Sequence, residues 1–85
     1  MKIVKISAIW CGSCIKMKNI WKEIEKDYDL DVINLDYDFD EEEVKKYDVG
    51  SILPMCIFFK NNKEVERING EKTKEEIIEI IERYI

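Results

Sequence analysis

The chain has no histidine, one proline and three glycines in 85 residues, and no apolar run approaches the ~20 residues of a membrane-crossing helix. Each scarcity excludes something. Without histidine, the commonest acid-base and metal-binding side chain is missing, so any chemistry must use another group. So little glycine and proline argues against disorder, collagen-like repeats and a loop-rich all-β architecture. Basic residues are also in deficit: 14 against 19 acidic gives a net charge of −5, and phosphate backbones are poor partners for such a surface. Neither nucleic acid nor a membrane is expected as a partner. Cysteine is scarce too, since three are too few to staple a secreted scaffold and an odd number leaves one unpaired. Lys5 cuts the N-terminal apolar run, and Cys11 arrives before a signal-peptide core could form. The expected address is the reducing cytoplasm, where paired cysteines are more often catalytic or metal-binding than structural.

What is present is 46% hydrophobic and 39% charged residues, enough for one small domain over residues 1–85 with a thin core. Ile3 to Ile9 is short and β-branched and predicts a largely buried strand. It runs into Trp10-Cys11-Gly12-Ser13-Cys14, after which Ile15, Met17, Ile20, Trp21, Ile24 and Tyr28 recur at helical spacing. That helix ends near Asp27, with Trp21 and Met17 in the core. Asp31 to Asp36 predicts a second strand, parallel to the first because a whole helix joins them. Asp40 and Glu43 have the spacing of a capping box before a helix over roughly 41–48. Met55 to Lys60 and Lys63 to Ile68, separated by Asn61-Asn62, predict a hairpin. After Asn69-Gly70, Thr73 and Glu76 suggest a second capping box, and Ile77, Ile78, Ile80, Ile81, Tyr84 and Ile85 form the apolar face of a last helix. The predicted order is β-α-β-α-β-β-α, an α/β fold.

Two thiols three positions apart at a strand-to-helix junction can close a small disulfide. Cys11, at the helix start, lies where the dipole and free backbone N–H groups favour a thiolate that attacks a substrate disulfide. Cys14, one turn in and expected to be less exposed, would resolve the mixed disulfide. Half of a zinc site has the same two-residue spacer, but four soft ligands are usual and only Cys56 is left. The acidic stretch Asp36 to Glu43 lacks calcium-loop spacing and its central glycine, and suits a solvated strand end and helix start. Lys16 and Lys18 either add positive potential near Cys11 or only solubilise the helix.

Trp10-Cys11-Gly12-Ser13-Cys14 after a buried strand, Ile52-Leu53-Pro54 before the third strand and Gly70 before the last helix together resemble the thioredoxin family. The likeness spans nearly the whole chain, although it begins at the family's central strand. It implies a thioredoxin fold, with a four-stranded mixed sheet flanked by three helices, and dithiol-disulfide exchange on protein substrates without a bound cofactor. It further implies Cys11 as nucleophile and Cys14 as resolving thiol, with Trp10, Gly12 and Ser13 in the active-site loop. Trp10, Leu53, Pro54 and Gly70 would contact substrate: Trp10 as the indole over the loop, unless it is a plain core aromatic, and Pro54 as a cis-proline facing the thiols. Gly12 would let the loop turn and keep the sulfur approachable. A thioredoxin-reductase-like flavoprotein would supply electrons to a monomer.

Three positions depart from or extend that pattern. Ser13 replaces the usual proline, and its hydroxyl could donate to the Cys11 sulfur and make the protein a weaker reductant. Lys5 stands where the family commonly has a buried aspartate. It could face solvent, pair with an acid such as Asp31 or Asp36, or depress a thiol pKa through its charge. Cys56 reads as a small core hydrophobe or, alternatively, a regulatory thiol. The reading from another functional class is a non-catalytic binding module of the same fold, holding a metal between Cys11 and Cys14.

Overall fold

The computed structural model describes residues 1–85 as β1 (Lys2–Ser7), α1 (Gly12–Asp27), β2 (Asp31–Asp36), α2 (Glu41–Lys45), β3 (Met55–Lys60), β4 (Lys63–Asn69) and α3 (Lys74–Tyr84). The element order is the one the hydrophobic periodicity predicts. The strands form one mixed sheet in the order β2-β1-β3-β4. β1 runs parallel to β2 and antiparallel to β3, and β3 and β4 form the hairpin. Asn61 and Asn62 both take positive φ, 54° and 64°, which gives the two-residue turn the twist that flanking strands require.

Period-two alternation divides the core into two layers. Ile3, Cys56 and Phe58 face α1 and α3, where they meet Met17, Trp21, Ile24, Ile77, Ile80 and Ile81. On the opposite face, Val4, Ile6, Met55 and Ile57 pack with Val44 of α2 and with Ala8, Cys11 and Leu53. Each fully buried isoleucine contributes roughly 1.5–3 kcal/mol, so both layers matter to a chain this short. Lys5, opposite Cys56 in the β1–β3 register, falls by the same alternation on the α1 side.

Local boundaries depart from expectation in three places. β1 ends at Ser7 instead of continuing to Ile9, because the Cys11 N–H donates to the Ala8 carbonyl at 3.1 Å and turns the chain into α1. α2 ends at Lys45; the following amides of Lys46, Tyr47 and Asp48 bond to carbonyls three residues back, a tightening toward 3-10 geometry that Asp48 closes with φ 52°. Asp40 does not cap α2 with its side chain. Its Oδ2 instead accepts from the Asp36 N–H at 2.7 Å, fastening the end of β2. At α3 only the Thr73 half of the predicted box forms, with Thr73 Oγ1 accepting from the Glu76 N–H at 3.1 Å.

Candidate active site

Cys11 is the N-cap of α1, and its Sγ accepts the Cys14 N–H at 3.2 Å. A cap normally uses a side-chain oxygen in this role; here sulfur occupies it, so the unpaired amide of the first turn is directed at the thiol. No acidic residue sits in that turn to offset the positive end of the helix. Cys11 and Cys14 are both free thiols.

The relative accessibility of the pair is the reverse of the sequence expectation. Cys11 is only 8% exposed, packed into the layer with Val4, Ile6, Ala8 and Leu53, whereas Cys14 is half-buried. The cause is an open cavity of about 340 Å3 against which Cys14 lies. Burial nonetheless pushes the Cys14 thiol up to about 11, helped by its side-chain hydrogen bond with Cys11 and by the Cys11 charge, while a backbone hydrogen bond at Ala8 works the other way. Cys14 is therefore held protonated at neutral pH.

The Leu53-Pro54 peptide bond is cis. Pro54 lines the cavity with Cys14, and Leu53 packs in the same layer as Cys11, so the third-strand entry and the thiols meet. Gly70, with φ +80°, donates its N–H to the Pro54 carbonyl at 2.9 Å; a side chain there would be strained whatever the space. Trp10 is 61% exposed, which overturns the core-aromatic alternative. Its Nε1–H donates to Asp38 Oδ2 at 2.6 Å and its ring meets Tyr37 edge-on at 6.3 Å. Asp38 is held in turn, because Asp36 Oδ1 accepts the N–H groups of Asp38 and Phe39. The acidic stretch thus anchors the indole. The residues that do so, Tyr37 and Asp38, carry no local signal of this role in the sequence.

Two loop residues act differently from expectation. Gly12 has no positive φ, so the turn does not need it, although a Cβ there would touch nothing within 4 Å and the space beside it is open. Ser13 makes no hydrogen bond to Cys11; the donor is the Cys14 amide. Lys5 pairs with neither Asp31 nor Asp36 but with Glu25 of α1, Nζ to Oε2 3.5 Å, and its ammonium lies 4.7 Å from the centroid of Trp21. Its charge acts on Cys56, where it opposes the burial that pushes that thiol up to about 12. Cys56 is 2% exposed and belongs to the core, as do Met17 and Trp21. No group of three or more Cys, Asp or Glu side chains converges where a metal ion could be held. Lys16 is on the surface, paired with Glu71 at 3.5 Å.

A family model described as Thioredoxin matches residues 1–83. The thioredoxin of Staphylococcus epidermidis is 33% identical over 87 residues, spanning 100% of this chain and 83% of the relative. That of Staphylococcus aureus strain N315 is 31% identical with the same coverage. Among solved structures, the reduced thioredoxin pre-protein of Schistosoma mansoni superposes with a TM-score of 0.89 at 30% identity, covering 99% of this chain and 78% of that one. The thioredoxin of Fasciola hepatica gives 0.90 at 29% identity, with 99% and 80% covered.

Proposed function

The chain belongs to the thioredoxin family, the protein-disulfide oxidoreductases, and on that footing we propose that Cys11 is its nucleophile and Cys14 its resolving thiol. The observation that carries the assignment is the Cys14 N–H pointing at Cys11 Sγ from the first turn of α1, while the Cys14 thiol itself is held protonated. One sulfur is offered a backbone hydrogen bond, and burial resists charge on the other.

In the first step the Cys11 thiolate attacks one sulfur of a substrate disulfide. The substrate S–S bond breaks, and the departing sulfur leaves as a thiolate that takes a proton from water. Cys14 then releases its proton to water and attacks Cys11 Sγ, expelling the second substrate sulfur. Two electrons pass to the substrate and a Cys11–Cys14 disulfide remains. A thioredoxin-reductase-like flavoprotein would return the two electrons.

An extended substrate segment would lie beside Leu53-Pro54 and Gly70, under Trp10. Leu53 supports this: neither its N–H nor its carbonyl has a hydrogen-bond partner within the chain, so both are free to pair with an added strand. Residues 1–85 would act as one domain and as a monomer, in the cytoplasm; no helix is long and apolar enough to cross a membrane. The metal-holding module gains no support, since two sulfurs without further converging ligands fall short of the usual soft-metal set.

Turbidity from reduced insulin, with dithiothreitol as electron source, tests the activity, and Cys11→Ser should abolish the acceleration. Cys14→Ser should accumulate mixed disulfides on Cys11 that dithiothreitol releases. Equal trapping by a Cys11→Ser protein that retains Cys14 would reverse the assignment of roles.

A further inference from the structure

Two large aliphatic side chains bracket the thiol pair and are left in water. Ile9 is 73% exposed and Ile15 is 63% exposed. Ile9 sits in the turn after β1 and Ile15 in the first turn of α1, and both line the cavity of about 340 Å3 that reaches Cys14 and Pro54. Met17 and Trp21 form further apolar wall.

Two of the three charged groups around this cavity are already engaged. Lys5 is committed to Glu25 and the Trp21 ring, and Asp36 accepts the amides of Asp38 and Phe39. Lys18 borders the space, and its methylene stem can add apolar surface while its ammonium stays in water. The volume is at the low end of the roughly 300–1,000 Å3 typical of small-molecule sites, which suits a side chain rather than a cofactor. A larger concavity of about 460 Å3, bounded by Tyr37, Asp38, Glu41 and Lys45, contains neither thiol.

We propose that the cavity between Ile9 and Ile15 is a specificity subsite that takes an aliphatic or aromatic side chain of the substrate next to its half-cystine. The inference rests on the disulfide-exchange reading and names the substrate class: protein disulfides flanked by apolar residues. Continuity with the exchange site identifies the occupant, because Pro54 and Cys14 are part of the wall and the Cys14 N–H is hydrogen-bonded to Cys11 Sγ, the sulfur to which substrate would be joined. An apolar side chain placed there would cover Ile9 and Ile15 and leave water with them. Partial burial of a leucine is worth on the order of tenfold in the rate constant.

The test uses two peptides with one intramolecular disulfide each, identical except for Leu or Ser on both sides of the cysteines. Second-order rate constants for oxidation of the reduced protein by each peptide give a Leu-to-Ser ratio. In the parent the ratio should be roughly ten; in Ile9→Ser/Ile15→Ser, or in Ile15→Ser alone if the pair fails to fold, it should fall toward one. Ile85→Ser, at an exposed isoleucine that does not line this cavity, should keep the parent ratio. A parent ratio near one, a ratio surviving the Ile9 and Ile15 changes, or an equal loss in Ile85→Ser overturns the subsite. The exchange reading itself fails on a different result, namely a parent that reacts with neither peptide or a Cys11→Ala variant that reacts as fast as the parent.

Discussion

The Lys5 ammonium of β1 and the Glu25 carboxylate of α1 stand 3.5 Å apart, at the edge of the layer that holds Trp21. Lys5 stands at the position where the family resemblance implies an aspartate. Here the cation is turned along α1 onto the indole, 4.7 Å from its centroid, and is not among the groups that set the Cys14 thiol. It acts as a structural clasp between strand and helix.

The clasp should be measurable and modest. Lys5 is 17% exposed and Glu25 38%, so solvent screens one end of the pair. A Lys5→Met, Glu25→Ala double-mutant cycle in urea should give a coupling of about 0.5–1 kcal/mol, near the upper end for surface pairs. Lys5→Met should leave the pH profile of Cys14 alkylation where it is. A shifted profile would make Lys5 part of the proton path and contradict the geometry.

Cys14 titrates high for two kinds of reason, and they are separable. Burial is the larger; hydrogen bonding with Cys11 and the charge of Cys11 add to it, and the result is about 11. In Cys11→Ala the second kind disappears and the first stays. The alkylation midpoint of Cys14 should therefore fall below 11 yet remain above the ordinary thiol value of 9.0. Under the proposed roles, the same relief would operate once Cys11 is bonded to substrate and would ready Cys14 to resolve. A midpoint unchanged in Cys11→Ala would mean that burial alone sets it.

Trp10 depends on Asp38 for its position, through a charge-assisted hydrogen bond of 2.6 Å. Asp38→Ala should free the indole and lower kcat/KM for a protein disulfide by roughly two- to fivefold, mostly through KM, because the thiols are untouched. Asp38→Asn keeps an acceptor and should recover most of the loss. Equal defects in both variants would point instead to the charge of Asp38.

How much of this was readable in advance follows the range of each interaction. Element order was legible, because Ile3 to Ile6 and the isoleucines of α3 obey two- and three-to-four-residue periods that need no tertiary information. The placement of Cys11 at a helix start was legible for the same reason. The cis state of Leu53-Pro54 followed only from family resemblance, since nothing local to those two residues dictates it. The partners of Lys5, Trp10 and Asp40 were not legible. Lys5 had several acids within reach on paper, and only the packing of α1 on β1 selects Glu25. Asp40 had a valid capping pattern but was captured by the amide of Asp36. Accessibility of the two thiols depends on layers assembled from distant segments, and there the local reasoning that ranked Cys14 as the more hidden failed.

Cys56 makes an alkaline prediction whose sign can be fixed. Its thiol is buried against Ile3, Trp21 and Phe58, and burial pushes it up to about 12, with the nearby charge of Lys5 opposing. Below pH 9 the thiol is neutral in both folded and unfolded chains and has no effect on the balance between them. Between about 9 and about 12 the unfolded chain releases the proton and the folded chain keeps it, so folding must take up a proton and stability falls as pH rises. The slope approaches 1.4 kcal/mol per pH unit, roughly, for this one group. Cys14 contributes in the same direction over the lower part of that window, so the comparison has to be with Cys56→Ala, which retains Cys14. At pH 7.5 the variant should be about 1 kcal/mol less stable than the parent for want of the sulfur's packing. As pH rises that deficit should shrink, and by pH 10.5 it should have reversed, leaving the variant about 1 kcal/mol the more stable, because only the parent carries the Cys56 penalty. Urea midpoints at the two pH values check this, and a gap of constant size would show that Cys56 ionises alike in the folded and unfolded chains.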